Sequence, residues 1–154
     1  MRAAVLTVST SKAAGDGQDE SGPLLEQLAR DLGAVDVERN VVGDQREAIE
    51  ACLRRWSDAR VDLVLTTGGT GMSRDDVTPE ATLAVLDREA PGIAEAVRLA
   101  SRPHTEHWML SRAVAGTSGE TLIVNLPGNP RAITQVADEL RTGLRHALAL
   151  ISRG

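Results

Sequence analysis

Short apolar runs recur along this chain and predict the strands of a sheet. Ala3–Ser9 is one such run, and Asp62–Thr67 is nearly continuous apolar sequence, as expected of a central strand that is covered on both faces. Thr121–Asn125 has the same character and predicts a second buried strand. Val35–Val42 alternates apolar and polar residues, which predicts a half-buried strand.

Apolar residues at helical spacing occupy the segments between these strands. The first predicted helix has Pro23 in its first turn and ends at Gly33. The second begins at Asp44 as the N-cap, with Glu47 three residues later in a capping-box pattern. A further helix is predicted to begin at Thr78-Pro79-Glu80, with Thr78 as the cap and Pro79 at the first helical position. Another follows Pro91-Gly92 and runs to about Arg102, and the last begins at Asn129-Pro130 with Asn129 as the N-cap. Trp108–Val114 fits either a strand or a short helix.

The alternation of strands and helices predicts an α/β fold. We expect a three-layer, doubly wound and mostly parallel sheet with helices on both faces. No repeat, linker or low-complexity segment divides the sequence, so we expect a single domain over residues 1–154. The Gly-, Ser- and Asp-rich stretch Thr10–Gly22 is predicted to be a loop, which is either functional or a mobile surface segment.

Composition narrows the classes of partner. Hydrophobic residues make up 42% and charged residues 25% of the 154, which is typical of a globular protein and argues against a membrane span. Trp56 and Trp108 are the only aromatic residues and the net charge is −5, so stacking platforms and a general attraction to nucleic acid are both missing. The N-terminal segment lacks the features of a secretory signal, and we expect a cytoplasmic protein.

Residues that carry nucleophilic or zinc chemistry in other proteins form no such pattern here. Cys52, the only cysteine, falls on the apolar face of a predicted helix, which favours a core role over a nucleophile and excludes an intramolecular disulfide. His104, His107 and His146 lack a further Cys or carboxylate at ligand spacing, which disfavours zinc. The hydrolase motif GxSxG is absent as well.

The candidate site lies where the strands end. In open α/β sheets ligands bind at the carboxyl ends of the strands, so the loops after Ser9, Val42, Thr67 and Asn125 are expected to converge. The loop Gly68–Gly71 lets backbone amides approach an anion closely, and Thr70 within it adds a hydroxyl donor. These residues predict a phosphate site, although a tight structural turn explains the same glycines.

Carboxylates follow the glycine loop directly. Asp75 and Asp76 are placed where a Mg²⁺ ion bound to substrate phosphates takes one or two carboxylate ligands. The alternative is that they only favour the N-terminus of the helix that begins near Thr78. Asp44 is explained by helix capping, and it faces the same crevice if the loops converge.

Six segments together resemble a known family. They run in order along nearly the whole chain: VSTSKAAGDGQDESGP, VVGD, LTTGGTG, DDVTPEAT, LSRAVAG and LIVNLPGNP. The combination is similar to the molybdopterin adenylyltransferase family, which includes bacterial Mog-type proteins, the related MoaB type and the G domains of plant Cnx and animal gephyrin. The resemblance implies a homotrimer that transfers AMP from Mg-ATP to the terminal phosphate of molybdopterin, with a molybdenum-insertion protein as a further partner.

The resemblance also implies roles for individual residues. Asp76 and Asp44 take the positions of the family's essential aspartates, and Asp75 stands beside Asp76 as a second candidate for Mg²⁺. The positions matched to substrate and nucleotide contacts are Ser9, Gly68, Gly69, Thr70, Gly71, Ser101, Asn125, Pro127 and Gly128.

Two departures from the family pattern stand out. Members usually have an Asp directly after the first-strand Ser, where this chain has Thr10, and they usually read PRDVTP where this chain has Arg74-Asp75-Asp76-Val77.

A phosphate nucleophile is already ionised, so a nucleotidyl transfer needs positioning and charge neutralisation and no catalytic His or Cys. The competing hypothesis is a non-catalytic pterin-binding or interaction module of the same fold.

Overall fold

The computed structural model describes residues 1–152, so the last two residues of the predicted domain lie outside the described part. The strands are β1 (Arg2–Val8), β2 (Asp36–Val42), β3 (Leu63–Thr67), β4 (Arg88–Glu89), β5 (Ala115–Ser118) and β6 (Thr121–Leu126). The helices are α1 (Thr10–Ala13), α2 (Ser21–Asp31), α3 (Arg46–Asp58), α4 (Thr78–Leu83), α5 (Pro91–Ser101) and α6 (Pro130–Ile151), with a 3-10 helix at Trp108–Leu110.

The six strands form one sheet in the order β2-β1-β3-β6-β5-β4. The first four are parallel to one another, and β5 and β4 complete the sheet in antiparallel pairs. This confirms the predicted mostly parallel α/β sheet. All five residues of β3 are buried, as the apolar sequence of a central strand requires.

Alternating strand residues supply two apolar clusters, one on each face of the sheet. Val5, Leu65 and Val124 face α2, α5 and α6, whereas Val64 and Ile123 pack with α3 and α4 on the other face. The predicted three-layer arrangement is therefore confirmed. Cys52 is buried in the second cluster and its Sγ accepts a hydrogen bond from Asn40, in keeping with a core role.

Strand register brings the polar ends of β1, β3 and β6 together. Thr7 pairs with Thr67, and Thr67 pairs with Leu126. The Ser9 amide donates to the Val42 carbonyl at 2.8 Å, which joins the end of β2 to the same edge. The four loops named from the sequence therefore leave the sheet side by side.

Three local predictions were wrong or incomplete. Asp44 does not cap α3: Gln45 occupies that position without a side-chain cap bond among residues 1–152, because the Asp44 carboxylate binds Thr10 instead. Thr78 is the first residue of α4 and not its cap, and its hydroxyl donates to the Gly68 carbonyl. The predicted loop after Ser9 contains the helical turn α1, where the Ser9 hydroxyl accepts from the Lys12 amide.

The Asn129 cap of the last helix is confirmed, since its side chain accepts from the Arg131 amide at 2.9 Å. The ambiguous segment 108–114 begins as a 3-10 helix and continues without regular structure to β5. Among the helices of the described chain, none combines the length and the apolar character that crossing a bilayer requires.

Candidate functional site

The loop Gly68–Gly71 lies at the centre of the site. Gly68 and Gly69 have φ angles of 92° and 68°, in the region that favours glycine. Their carbonyls are held by Thr78, which donates from its hydroxyl to Gly68 at 2.9 Å and from its amide to Gly69 at 3.1 Å. Within residues 1–152, the amides of Gly69, Thr70 and Gly71 have no hydrogen-bond acceptor, so they are available to a bound oxyanion.

The glycine loop is pressed against the ends of the neighbouring strands. A Cβ on Gly68 would lie 2.2 Å from the Val8 carbonyl oxygen, and one on Gly128 would lie 3.2 Å from the Gly68 Cα. The Thr67 hydroxyl donates to the Pro127 carbonyl at 2.7 Å. These contacts show that the tight-turn explanation of the glycines holds, and the free amides show that it does not exclude a ligand.

A cavity of about 610 Å³ opens beside this loop. Its walls come from the glycine loop, α5, the segment 104–111 and the first turns of α6. The residues named from the sequence that line it are Gly68, Gly69, Thr70, Gly71, Asp76, Ser101, Pro127 and Gly128. Residues that the sequence did not single out for this wall include Arg98, His104, His107, Trp108, Arg131 and Gln135.

A second cavity of about 340 Å³ lies on the other side of the glycine loop. Ser9 lines it, together with Lys12, which is the only lysine of the chain. Gly68 and Gly128 line both cavities. The two spaces therefore adjoin at these two glycines.

Positive groups surround the larger cavity. Arg98 and Arg131 line it, and so do Asn129 and Ala132 at the N-terminus of the 22-residue helix α6. The N-terminal end of a long helix carries partial positive charge, and its amides bind anions. The cavity is therefore suited to a ligand with phosphate groups.

Asp76 is the carboxylate that faces the larger cavity. One of its oxygens, Oδ2, accepts from the Ser73 amide at 2.9 Å, and a Cβ on Gly71 would lie 2.9 Å from the same oxygen. Asp75 is exposed and lies outside both cavities. Of these two neighbouring aspartates, only Asp76 lines a cavity.

The donor set fits Mg²⁺ only in company with a phosphate ligand. Within residues 1–152, no group of three or more His, Cys, Asp or Glu side chains is placed to hold a metal ion. Asp76 supplies one carboxylate beside the free amides of the glycine loop. Mg²⁺ commonly binds proteins through one or two carboxylates and takes its other ligands from water and substrate phosphates. Asp76 alone therefore meets the protein's share of the ligands.

Asp44 lies at the same edge of the sheet but outside both cavities. Its Oδ2 accepts from the amide of Thr10 at 3.0 Å and from the hydroxyl of Thr10 at 2.9 Å. The Thr10 hydroxyl also accepts from the Asp44 amide at 3.1 Å. Thr10, the residue at which this chain departs from the family pattern, is thus the direct partner of Asp44.

The side chains of Asn125 and Ser101 are buried and bond to other groups of the protein. Asn125 is fully buried; its amide nitrogen donates to the hydroxyls of Thr66 and Thr82, and its Oδ1 accepts from the Val114 amide. The Asn125 side chain therefore joins β6 to β3, to α4 and to the segment before β5. Ser101 is buried at the cavity wall and donates to the Val97 carbonyl at 3.0 Å.

Arg112 is a residue that the sequence reasoning missed. Its guanidinium donates to the carbonyls of Gly71 and Asp76, each at 2.7 Å, and also to the carboxylate of Glu80. This hydrogen bond holds the pKa of Glu80 below its ordinary value, against the opposing effect of burial. Arg112 lies in the segment LSRAVAG, one of the six that resemble the family. Its partners are more than 30 residues away along the chain, so the segment alone does not reveal them.

Comparison with known proteins identifies the family. A family model described as "Probable molybdopterin binding domain" matches residues 4–146. The chain belongs to this family. The resemblance drawn from the six sequence segments is thereby confirmed.

Relatives of known name align with most of this chain. A molybdopterin adenylyltransferase from Helicobacter pylori is 34% identical over 150 residues, covering 96% of this chain and 85% of the relative. The protein of the same name from Haemophilus influenzae is 39% identical over 145 residues, covering 92% and 73%. The molybdenum cofactor synthesis protein cinnamon of Drosophila melanogaster is 40% identical over 149 residues, but this chain spans only 25% of its length.

Solved structures of the family superpose closely. The molybdopterin biosynthesis Mog protein from Mycobacterium ulcerans has a TM-score of 0.92 at 41% identity, covering 97% of this chain and 98% of that one. A structure of MogA has a TM-score of 0.94 at 39% identity, covering 98% and 99%. The molybdopterin-binding fold expected from the sequence is therefore confirmed.

Proposed function

We propose that this protein is a molybdopterin adenylyltransferase of molybdenum cofactor biosynthesis. It transfers the AMP group of Mg-ATP to the terminal phosphate of molybdopterin and releases pyrophosphate. Family membership and the names of the bacterial relatives support the assignment. The observation that carries it is the pair of cavities that adjoin at Gly68 and Gly128, because two phosphorylated substrates that react with each other need neighbouring spaces.

The transfer is one displacement at phosphorus. A terminal phosphate oxygen of molybdopterin forms a bond to the α-phosphorus of ATP, and the bond from that phosphorus to the bridging oxygen of pyrophosphate breaks. The attacking phosphate is ionised at neutral pH, so the protein has no proton to remove. The reaction therefore depends on placing the two phosphates and on neutralising their charge.

The residues of the site divide this work. The free amides of Gly69, Thr70 and Gly71 donate hydrogen bonds to phosphate oxygens. Arg131 adds positive charge to the larger cavity, and in the smaller cavity Lys12 supplies a cation beside the carboxylates of Asp19 and Glu20. Asp76 would hold Mg²⁺, which neutralises phosphate charge when it is bound.

Pyrophosphate release tests the proposed function directly. With ATP, Mg²⁺ and molybdopterin together we expect stoichiometric pyrophosphate and adenylylated molybdopterin, and no pyrophosphate when molybdopterin is left out. Calorimetric titration with each substrate alone runs in parallel. Binding without pyrophosphate release would overturn the enzyme assignment in favour of the pterin-binding module.

Asp44 is expected to act through Thr10. In the Asp44→Asn variant the amide oxygen still accepts from Thr10, so we expect a free energy of unfolding within about 1 kcal/mol of wild type. A loss of adenylyl transfer larger than tenfold in this folded variant would show that the charge itself serves the reaction. Wild-type activity would assign Asp44 to holding α1. Thermal melts and pyrophosphate assays on the same preparation separate the two outcomes.

We expect the protein to form a homotrimer in the cytoplasm, as the family resemblance implies. Exposed apolar side chains on α5 and the 3-10 helix support association: Leu99, Met109 and Leu110 are 56%, 64% and 47% exposed. Sedimentation equilibrium at micromolar concentration should give three times the chain mass of 16.3 kDa. A monomer under these conditions contradicts the trimer. Pull-down with a molybdenum-insertion protein tests the further partner.

A further inference from the structure

We propose that Arg112 is a positioning residue that holds the glycine loop and Asp76 at a fixed distance from each other. The inference rests on the proposed function for its catalytic consequence. Its structural part rests on contacts alone and is tested without any substrate.

Arg112 contacts both the glycine loop and Asp76. Its backbone amide donates to the Thr70 carbonyl at 2.8 Å, and its Nε donates to the Gly71 carbonyl at 2.7 Å. One terminal nitrogen, Nη2, donates to the Asp76 carbonyl at 2.7 Å. The other donates to Glu80 on α4. A single side chain thus ties two points separated by four exposed residues.

Close packing leaves little play between these two points. Gly71 approaches Asp76 so nearly that a Cβ on it would lie 2.9 Å from the carboxylate. The residues between them, Met72 to Asp75, are exposed and provide little packing of their own. Arg112 therefore fixes the distance between the free amides and the Asp76 carboxylate together with the local bonds of Ser73 and Thr78.

The segment that carries Arg112 is itself anchored to the sheet. The backbone amide of Val114 donates to the side-chain oxygen of Asn125, and the backbone amide of Asn125 donates to the Val114 carbonyl. Arg98 on α5 donates to the carbonyls of Ser111 and Ala113, on either side of Arg112. Arg112 therefore links the glycine loop and Asp76 to the sheet through the segment Ser111–Val114.

Only an arginine makes this set of contacts. The planar guanidinium presents donors in a fixed fork, so Nε and both terminal nitrogens reach three acceptors at once. A lysine retains the positive charge and an ion pair with Glu80, but its single nitrogen cannot span Gly71, Asp76 and Glu80. Arg112→Lys therefore removes the positioning while it keeps the charge.

The test combines hydrogen exchange with kinetics on full-length Arg112→Lys. We expect faster exchange of the Thr78 amide, which bonds to Gly69, and of the Asp76 amide, which bonds to Ser73. We also expect kcat to fall by about tenfold to a hundredfold per folded molecule, with a smaller change in KM for ATP, because misplaced groups cost most in the transition state. Arg54→Lys is the matched control, since Arg54 donates to the Ala84 carbonyl at the opposite end of α4 from Thr78.

The outcomes separate this inference from the proposed function. Faster exchange with lower kcat supports it, provided that Arg54→Lys changes neither. Unchanged exchange overturns it, and so does faster exchange with a wild-type kcat. If wild-type protein makes no pyrophosphate but Arg112→Lys exchanges faster at Asp76 and Thr78, the adenylyltransferase assignment fails while the structural part of the inference stands.

Discussion

Replacing Asp76 with asparagine is expected to lower adenylyl transfer by orders of magnitude while the fold stays intact. The asparagine side-chain oxygen still accepts from the Ser73 amide, so the turn before α4 keeps its hydrogen bond. The charge that would hold Mg²⁺ against the phosphates is lost, however. That loss is felt mainly in the transition state, where the charge on the phosphates is rearranged.

Asp75→Asn is the matched control for Asp76→Asn. Both substitutions remove one negative charge from adjacent positions, but Asp75 is exposed and lies outside the cavities. Pyrophosphate release at saturating Mg²⁺ should fall far more in Asp76→Asn than in Asp75→Asn. Equal losses would mean that both carboxylates serve the metal, and wild-type turnover in Asp76→Asn would remove Asp76 from the reaction.

The sheet and its main helices were predictable because each depends on a long, local pattern. The apolar run of β3 and the apolar stripe of α6 are buried in the structure, and each is visible in the sequence as a local pattern of apolar residues. Arg88–Glu89 and Ala115–Ser118 were missed. Two exposed charged residues have no period to detect, and they become the strand β4 only because β5 pairs with them.

The candidate site was predictable where its chemistry is local. The glycine loop and Asp76 occupy one short segment, and the end of β3 places both of them at the ligand edge. Contacts between distant segments were not predictable. Asp44 matches a helix cap in the sequence, but Thr10, which is 34 residues away, takes its carboxylate. Arg112 reaches back across a similar span, so no local pattern reveals it.

Gly69→Ala is expected to lower both the stability of the protein and its affinity for nucleotide. The φ of 68° alone costs an alanine about 1 kcal/mol. The added Cβ would also lie 2.3 Å from the Thr78 hydroxyl oxygen, which is buried and bonded to Gly68. Losing that hydrogen bond adds about 1 kcal/mol, so we expect a total loss of about 2 kcal/mol in the free energy of unfolding.

Gly119→Ala isolates the contribution of the backbone angle. Gly119 has a φ of 57° in the turn between β5 and β6, and a Cβ there meets no atom within 4 Å. We therefore expect Gly119→Ala to lose about 1 kcal/mol and to bind ATP normally. The difference between the two variants measures the contact with Thr78, and any loss of affinity found only in Gly69→Ala measures the displaced amides. Denaturant melts paired with calorimetric titration of ATP give both quantities. A Gly69→Ala protein that is destabilised but binds ATP as wild type does would show that the loop is a structural turn and that the phosphates bind elsewhere.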